Sequence, residues 1–252
     1  MANRFDLSGK VAVVTGGSRG LGREMILAFA EAGADVVIAS RKLDACEALA
    51  AEVTERFPGR QAMAVAAHVG RWGDCDALAD AAYERFGRVD VLVNNAGMSP
   101  LYPSLVEVGE DLYDKVLAVN LKGPFRLMAL VGDRMARSEG GSIINVSSIA
   151  SLRPTPIEAA YAAAKAGLNA LTVAYAHAYG PKVRVNCISA GPFLTDISKA
   201  WDLNVFEERA KANYALGRGG QPHEIVGAAL YFASDASSFT TGAVLRVDGG
   251  VP

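Results

Sequence analysis

A chain of 252 residues, 51% of them apolar, is long enough to bury one core without disulfide or metal staples. Its formal charge is −2 with both signs mixed along the chain, which argues against a nucleic-acid surface, and no apolar run reaches membrane-spanning length. Cys46, Cys75 and Cys187 form no C-x-x-C pair and His68, His177 and His223 are scattered, so neither a disulfide framework nor a metal centre is expected, and a reducing cytoplasm fits.

The opening MANRFDLSGK has no apolar signal core. Residues 10–15 (KVAVVT) are a short β-branched run that predicts a first strand. It ends in GGSRGLG, and the helical spacing of 23–32 stops at Gly33. A second buried strand at Asp35–Ser40, a helix at 42–57, a third strand at 62–67, a helix at Trp72–Phe86 and a fourth strand at 89–94 continue the alternation. Helices near 105–120 and Gly123–Arg137 follow. Then come a strand at 142–146, within a β-like run that leads to Ser151, the long helix Ala159–Tyr179 and a strand at 182–188. Gly180-Pro181 closes the long helix. Residues 196–214 are irregular in periodicity and carry Trp201 and Phe206. A last helix at 222–234 and a last strand at 243–247 complete the chain.

Strands and helices alternating in this way require right-handed crossovers, with helices on both faces of a parallel sheet. The expectation is an α/β fold, a doubly wound Rossmann architecture of seven parallel strands, in one domain spanning 1–252. No internal repeat or linker interrupts it.

The chemistry centres on Ser148, Tyr161 and Lys165. Tyr161 and Lys165 are four positions apart in an Ala-rich segment, so on a helix both side chains leave one face. A free phenol, with a pKa of about 10, is a poor base at neutral pH, and an ammonium one turn away favours the phenolate. Tyr161 can then exchange a proton with a substrate hydroxyl or carbonyl. Ser148, thirteen positions upstream at a predicted strand end, is placed to hold the same oxygen. A bare Y-x-x-x-K also arises by chance, as a half-buried tyrosine beside a solvated lysine, so the surrounding motifs decide.

Those motifs are TGGSRGLG at 15–22, NNAG at 94–97 and Asn120, in that order. With them, the chain resembles the short-chain dehydrogenase/reductase family, in its compact single-domain branch, over nearly its whole length. The spacing of Gly16, Gly20 and Gly22 departs from the wider G-x-G-x-x-G fingerprint and is similar to this family's own version. A glycine turn between strand and helix lets backbone N–H groups approach a pyrophosphate, and Ser18, Arg19 and Leu21 complete that turn.

An acid at the end of the second strand accepts from the adenosine ribose, whereas a basic residue pairs with a 2′-phosphate. Here Ser40 stands at the position of the acid and Arg41 follows, with Arg19 as a second guanidinium. NADP(H) is therefore expected ahead of NAD(H), which stays open. His68-Val69 replaces the family's Asp-Val, whose aspartate meets the adenine amino group; the Val69 backbone can still reach the base. Asn95, Ala96 and Gly97 resemble the motif packed beneath the nucleotide. Gly191 lies in an Ala-Gly-Pro turn where relatives read Pro-Gly, and Thr195 matches the residue that holds the nicotinamide carboxamide.

The resemblance implies a catalytic tetrad of Asn120, Ser148, Tyr161 and Lys165. Tyr161 is the acid or base; Lys165 lowers its pKa and grips the nicotinamide ribose; Asn120 kinks its helix and holds a water that links Lys165 to solvent. No metal is called for. Met98, Leu101, Ile157, Phe193, Trp201 and Phe206 supply a mostly apolar wall, which points to a medium-sized apolar or amphipathic ketone or secondary alcohol as the small-molecule substrate. Residues 193–214 are the expected lid.

Three alternatives stay open. A 3-oxoacyl carrier-protein reductase would need basic residues for an acidic carrier; Arg134 and Arg137 are candidates, whereas 174–179 has no arginine. A sugar or polyol dehydrogenase would need more hydroxyl partners than this wall offers. A non-catalytic nucleotide-binding protein would typically have lost the tyrosine or the lysine. Apolar positions on more than one face of the helices at 105–120 and 123–137, and in 241–252, match regions through which relatives pair, so a homotetramer is expected.

Overall fold

The computed structural model describes residues 3–196, 198 and 202–252. Seven strands form one sheet: β1 (Val11–Thr15), β2 (Asp35–Ser40), β3 (Ala62–Ala66), β4 (Val91–Asn94), β5 (Gly141–Ser148), β6 (Val183–Ala190) and β7 (Val244–Val247). Their order is β3-β2-β1-β4-β5-β6-β7, and every neighbouring pair is parallel. The helices are α1 (Gly20–Glu31), α2 (Leu43–Arg56), α3 (Trp72–Phe86), α4 (Glu110–Leu117), α5 (Gly123–Arg137), α6 (Ala159–Tyr179), α7 (Leu203–Asn213) and α8 (Val226–Ala233).

A strand covered on both faces must be apolar at every position, and β1 is buried throughout. Successive side chains alternate between two cores. Ala12, Val14, Val36 and Ile38 meet Met25 and Phe29 of α1, Leu49 of α2 and Phe232 of α8. Val11, Val13 and Val37 meet Leu78 of α3, Leu127 and Met128 of α5, and Leu168 of α6 on the other side. The chain winds one way from β1 to β3 and the opposite way from β4 to β7. A crevice therefore opens between the carboxyl ends of β1 and β4, the switch point where open parallel sheets bind ligands. No helix among the described residues is long and apolar enough to cross a membrane.

Two segments differ from the sequence expectation. The helix read over 105–120 is broken: a 3-10 turn at Leu105–Glu107 precedes α4, and a π-helical turn, Ala118–Lys122, joins α4 to α5. The irregular stretch 196–214 contains α7, capped by Asp202, whose carboxylate accepts the N–H groups of Asn204 (3.1 Å) and Val205 (3.2 Å). Only Ala210 of that helix is buried, so it carries no apolar stripe to read. Trp201 lies outside the described residues.

Candidate active site

The glycine turn is closed by backbone contact. Gly16 and Gly20 have φ of +62° and +54°, and a Cβ on Gly22 would lie 2.2 Å from the Gly16 carbonyl oxygen. Thr15 Oγ1 accepts the N–H groups of Asn95 (3.0 Å) and Ala96 (3.1 Å), and Asn95 Nδ2 donates to Thr15 O (2.9 Å) and Gly16 O (3.1 Å). The turn after β1 and the loop after β4 are thus one unit. Helix α1 starts there with no side-chain cap and no acid in its first turn, so its leading N–H groups are left for an anion. A Cβ on Gly16 would meet Ala96 Cα at 2.9 Å, so the backbone surface is bare where a pyrophosphate would approach.

At the end of β2, Ser40 Oγ receives Ser18 Oγ (3.0 Å) and lies 3.1 Å from Cys46 Sγ. Exposed Arg41 has no ion pair among the described residues. Arg19 is differently placed: its Nη1 pairs with Asp196 at 3.2 Å, joining the glycine turn to the loop after β6. Thr195 sits beside that turn, 3.6 Å from a Cβ built on Gly20, and Gly191 packs too tightly on Asp248 for any side chain.

The catalytic candidates meet at the ends of β4 and β5 and on α6. Asn120 is fully buried in the π-helical turn. Such a turn frees a helical carbonyl, and Asn120 Nδ2 donates to that of Val116 (2.9 Å) as well as to Met98 O (2.8 Å). Its Oδ1 accepts from Met98 N at 3.3 Å. A Cβ on Gly97 would stand 3.0 Å from Asn120 Oδ1 and 3.6 Å from Lys165 Nζ, so this glycine lets the two approach. Ser148 Oγ caps the turn after β5 by accepting Ala150 N at 3.1 Å.

Lys165 is 3% exposed, and its Nζ donates to Val146 O at 2.7 Å. Burial pushes its pKa down from 10.5 to about 8, with Cys187 opposing. Its Nζ is 5.7 Å from the centre of the Tyr161 ring. Burial pushes the Tyr161 phenol up from 10.0 to about 12; Ser148 pulls it down and the Glu158 carboxylate adds to the rise. The expected lowering of the phenol by Lys165 is therefore reversed here, because desolvation of the phenolate outweighs an ammonium that is engaged elsewhere.

A cleft of about 1670 Å³ joins these parts. It is lined by Gly16, Ser18, Arg19, Gly20 and Leu21, by Ser40 and Arg41, by His68 and Val69, and by Asn95, Ala96 and Gly97. Ser148, Tyr161, Lys165, Gly191 and Thr195 line it too. Gly22 and Asn120 stand behind the lining. Met98, Leu101, Ile157, Phe193 and Phe206 form part of its wall, as expected. Glu158 and Arg209 were missed by sequence reading. The signal for Glu158 was its place directly before the Ala-rich helix, three residues ahead of Tyr161, where it is the N-cap of α6; nothing local marked Arg209. The size of the cleft and the bare glycine turn fit a dinucleotide with a second molecule beside it.

Residues 16–252 match the family described as enoyl-(acyl carrier protein) reductase. The short chain dehydrogenase/reductase astE of Aspergillus oryzae is 38% identical, over 98% of this chain and 97% of its own. The 3-oxoacyl-[acyl-carrier-protein] reductase FabG of Chlamydia trachomatis is 39% identical, over 97% of this chain and 98% of its own. A solved 7α-hydroxysteroid dehydrogenase, complexed with NADH and 7-oxo glycochenodeoxycholic acid, superposes with a TM-score of 0.94 at 34% identity, covering 100% of this chain and 98% of that one. A Rossmann sheet carrying this glycine turn, with relatives matched end to end, places the chain in the short-chain dehydrogenase/reductase family, whose members are oxidoreductases of alcohols and ketones.

Proposed function

We propose that this protein interconverts a ketone and a secondary alcohol with NADP(H), and that Asn120, Ser148, Tyr161 and Lys165 carry the reaction. The supporting observation is that Ser148, Tyr161 and Lys165 line the same cleft as the glycine turn. When bound, the nicotinamide supplies or takes up hydride at the carbonyl carbon. Ser148 holds the substrate oxygen. Tyr161 donates its proton to that oxygen in reduction and recovers it in oxidation. Lys165, with a pKa of about 8, is mostly charged at neutral pH, and its ammonium, held by Val146 O 5.7 Å from the Tyr161 ring centre, is placed to meet the nicotinamide ribose. Asn120 holds the π-helical turn against Met98 and so keeps the floor beside Lys165 in place.

Arg41 is the residue for the 2′-phosphate, since no carboxylate stands at Ser40 to claim the ribose. Arg19, whose Nη1 is shared with Asp196, is the second guanidinium on that side. The apolar wall favours an apolar or amphipathic substrate, with 193–214 acting as its lid on a single domain. Exposed Trp72, Phe125 and Val173, and the edge residues Val244 and Leu245, give apolar surface for a homotetramer. Three buried free thiols accord with the cytoplasm. The carrier-protein alternative is supported by the relatives of that kind, with Arg134, paired to Asp80, and Arg137, paired to Asp133, as its basic candidates.

Turnover of NADPH with a panel of ketones tests the proposal. Tyr161→Phe is expected to remove at least about 10²-fold of the rate while cofactor binding persists. Full activity in that variant would sink the assignment.

A further inference from the structure

The residue at the end of β3 departs from the family pattern, and the departure reverses the hydrogen bond on offer. An aspartate there can only accept. His68 differs: its Nδ1 already accepts the backbone N–H of Gly70 at 3.1 Å, so in the neutral ring the proton resides on Nε2. Nε2 has no hydrogen-bond partner among the described residues.

The surroundings hold the ring in this posture. Gly70 lets the imidazole fold back over its own loop, since a Cβ there would lie 2.9 Å from Cε1 and 3.1 Å from Nδ1. The backbone N–H of His68 is anchored to Asp74 Oδ2 at 2.9 Å, which ties the loop to the first turn of α3. Half-buried, His68 lines the main cleft and also a second hollow of about 810 Å³ that includes Gly70, Leu121 and Phe125. One ring nitrogen is thus tied to the backbone, and the other is left as a donor at the edge of the cleft.

We propose that His68 makes the base-binding end of the cleft a hydrogen-bond donor, so that this protein reads the purine through an acceptor atom and does not require the adenine amino group. The inference rests on the dinucleotide-binding role proposed above. Adenine carries an amino donor at its six-position, and hypoxanthine carries a carbonyl oxygen there. A carboxylate accepts from the first and repels the second. An Nε2–H donates to the second and must turn to a ring nitrogen of the first. Dinucleotides with a 6-oxo purine are therefore ligands alongside those with a 6-amino purine.

Titration calorimetry of the full chain with NADPH and with its hypoxanthine counterpart reads this directly. The two dissociation constants are expected within about threefold of each other, or with hypoxanthine the tighter. His68→Asp is expected to prefer NADPH by about tenfold, the scale of one hydrogen bond to a charged acceptor. A preference of tenfold or more for NADPH in the unaltered protein overturns the inference, as does unchanged tolerance in His68→Asp. A nitrogen-15 spectrum of the His68 ring gives a readout that does not depend on the variant folding: a proton on Nε2 is expected, and a proton on Nδ1 overturns the inference. Binding of both dinucleotides with NADPH preferred about tenfold or more removes this inference alone, whereas binding of neither removes the cofactor role beneath it.

Discussion

Lys165 turns its ammonium to the carbonyl oxygen of Val146, 2.7 Å away, and not to the phenol of Tyr161. The side chain is thereby held charged in a place that disfavours charge. A depression from 10.5 to about 8 corresponds to a penalty of about 3 kcal/mol on the ammonium at neutral pH. Above pH 8 the folded state begins to release this proton while the unfolded chain keeps it, so stability from this residue rises as pH climbs toward 10.5.

Lys165→Met removes that penalty and leaves the Val146 carbonyl unpaired, which costs about 1–3 kcal/mol. The two nearly cancel. The variant is expected to melt within about 4 °C of the unaltered protein at pH 7 by scanning calorimetry, while losing at least about 10²-fold of its activity. A fall of more than about 10 °C would show that the ammonium is a net stabiliser.

The high phenol pKa separates the two reaction directions. With Tyr161 near 12, the proton donor for reduction is loaded at neutral pH, whereas oxidation needs a phenolate that is scarce there. Oxidation is expected to climb with pH between 7 and 9, by up to about tenfold per unit, while reduction does not. Glu158→Gln removes a carboxylate that raises the phenol, so the oxidative profile should move to lower pH. Plots of kcat/KM against pH in both directions check this; an unmoved profile would deny Glu158 that influence.

The two guanidiniums near Ser40 should respond differently to removal. Arg41→Ala is expected to weaken NADPH at least about tenfold with little change for NADH. Arg19→Ala should cost less, because that arginine is paired with Asp196. Asp196→Asn should then tighten NADPH. Calorimetric titration of each variant decides, and equal losses of NADPH and NADH in Arg41→Ala would end the 2′-phosphate assignment.

Gly22→Ala tests the turn itself. Its added carbon would stand 2.2 Å from the Gly16 carbonyl oxygen, a backbone atom that cannot yield without opening the turn. A loss of about 1–3 kcal/mol is expected, visible as a melting point lower by several degrees, together with weaker dinucleotide binding. Unchanged melting and binding would mean the turn relaxes freely.

Much of the molecule was legible from local spacing. The strands appear as short β-branched runs and the glycine turn as a fixed interval, because burial on both faces and close backbone approach restrict residue type at each position. Helix α7 was not legible, since its exposed surface imposes no such restriction. The first helix of that pair was read from 105, whereas 105–107 form a 3-10 turn and α4 starts at Glu110; the kink at Asn120 came with the resemblance, but its π-helical form differs from an α turn by one residue of register, which no composition signals.

By itself the sequence determined which side chains could meet: Tyr161 and Lys165 share a helix face by covalent geometry, and the alternation of strands and helices implies a parallel sheet with helices on both faces. Only the tertiary structure decided what those side chains do to one another. Arg19 meets Asp196 across 177 residues of chain, His68 turns one ring nitrogen to Gly70, and burial sets the proton affinities of Tyr161 and Lys165. Desolvation and long-range pairing depend on everything packed around a group, and that surrounding exists only once the chain has folded.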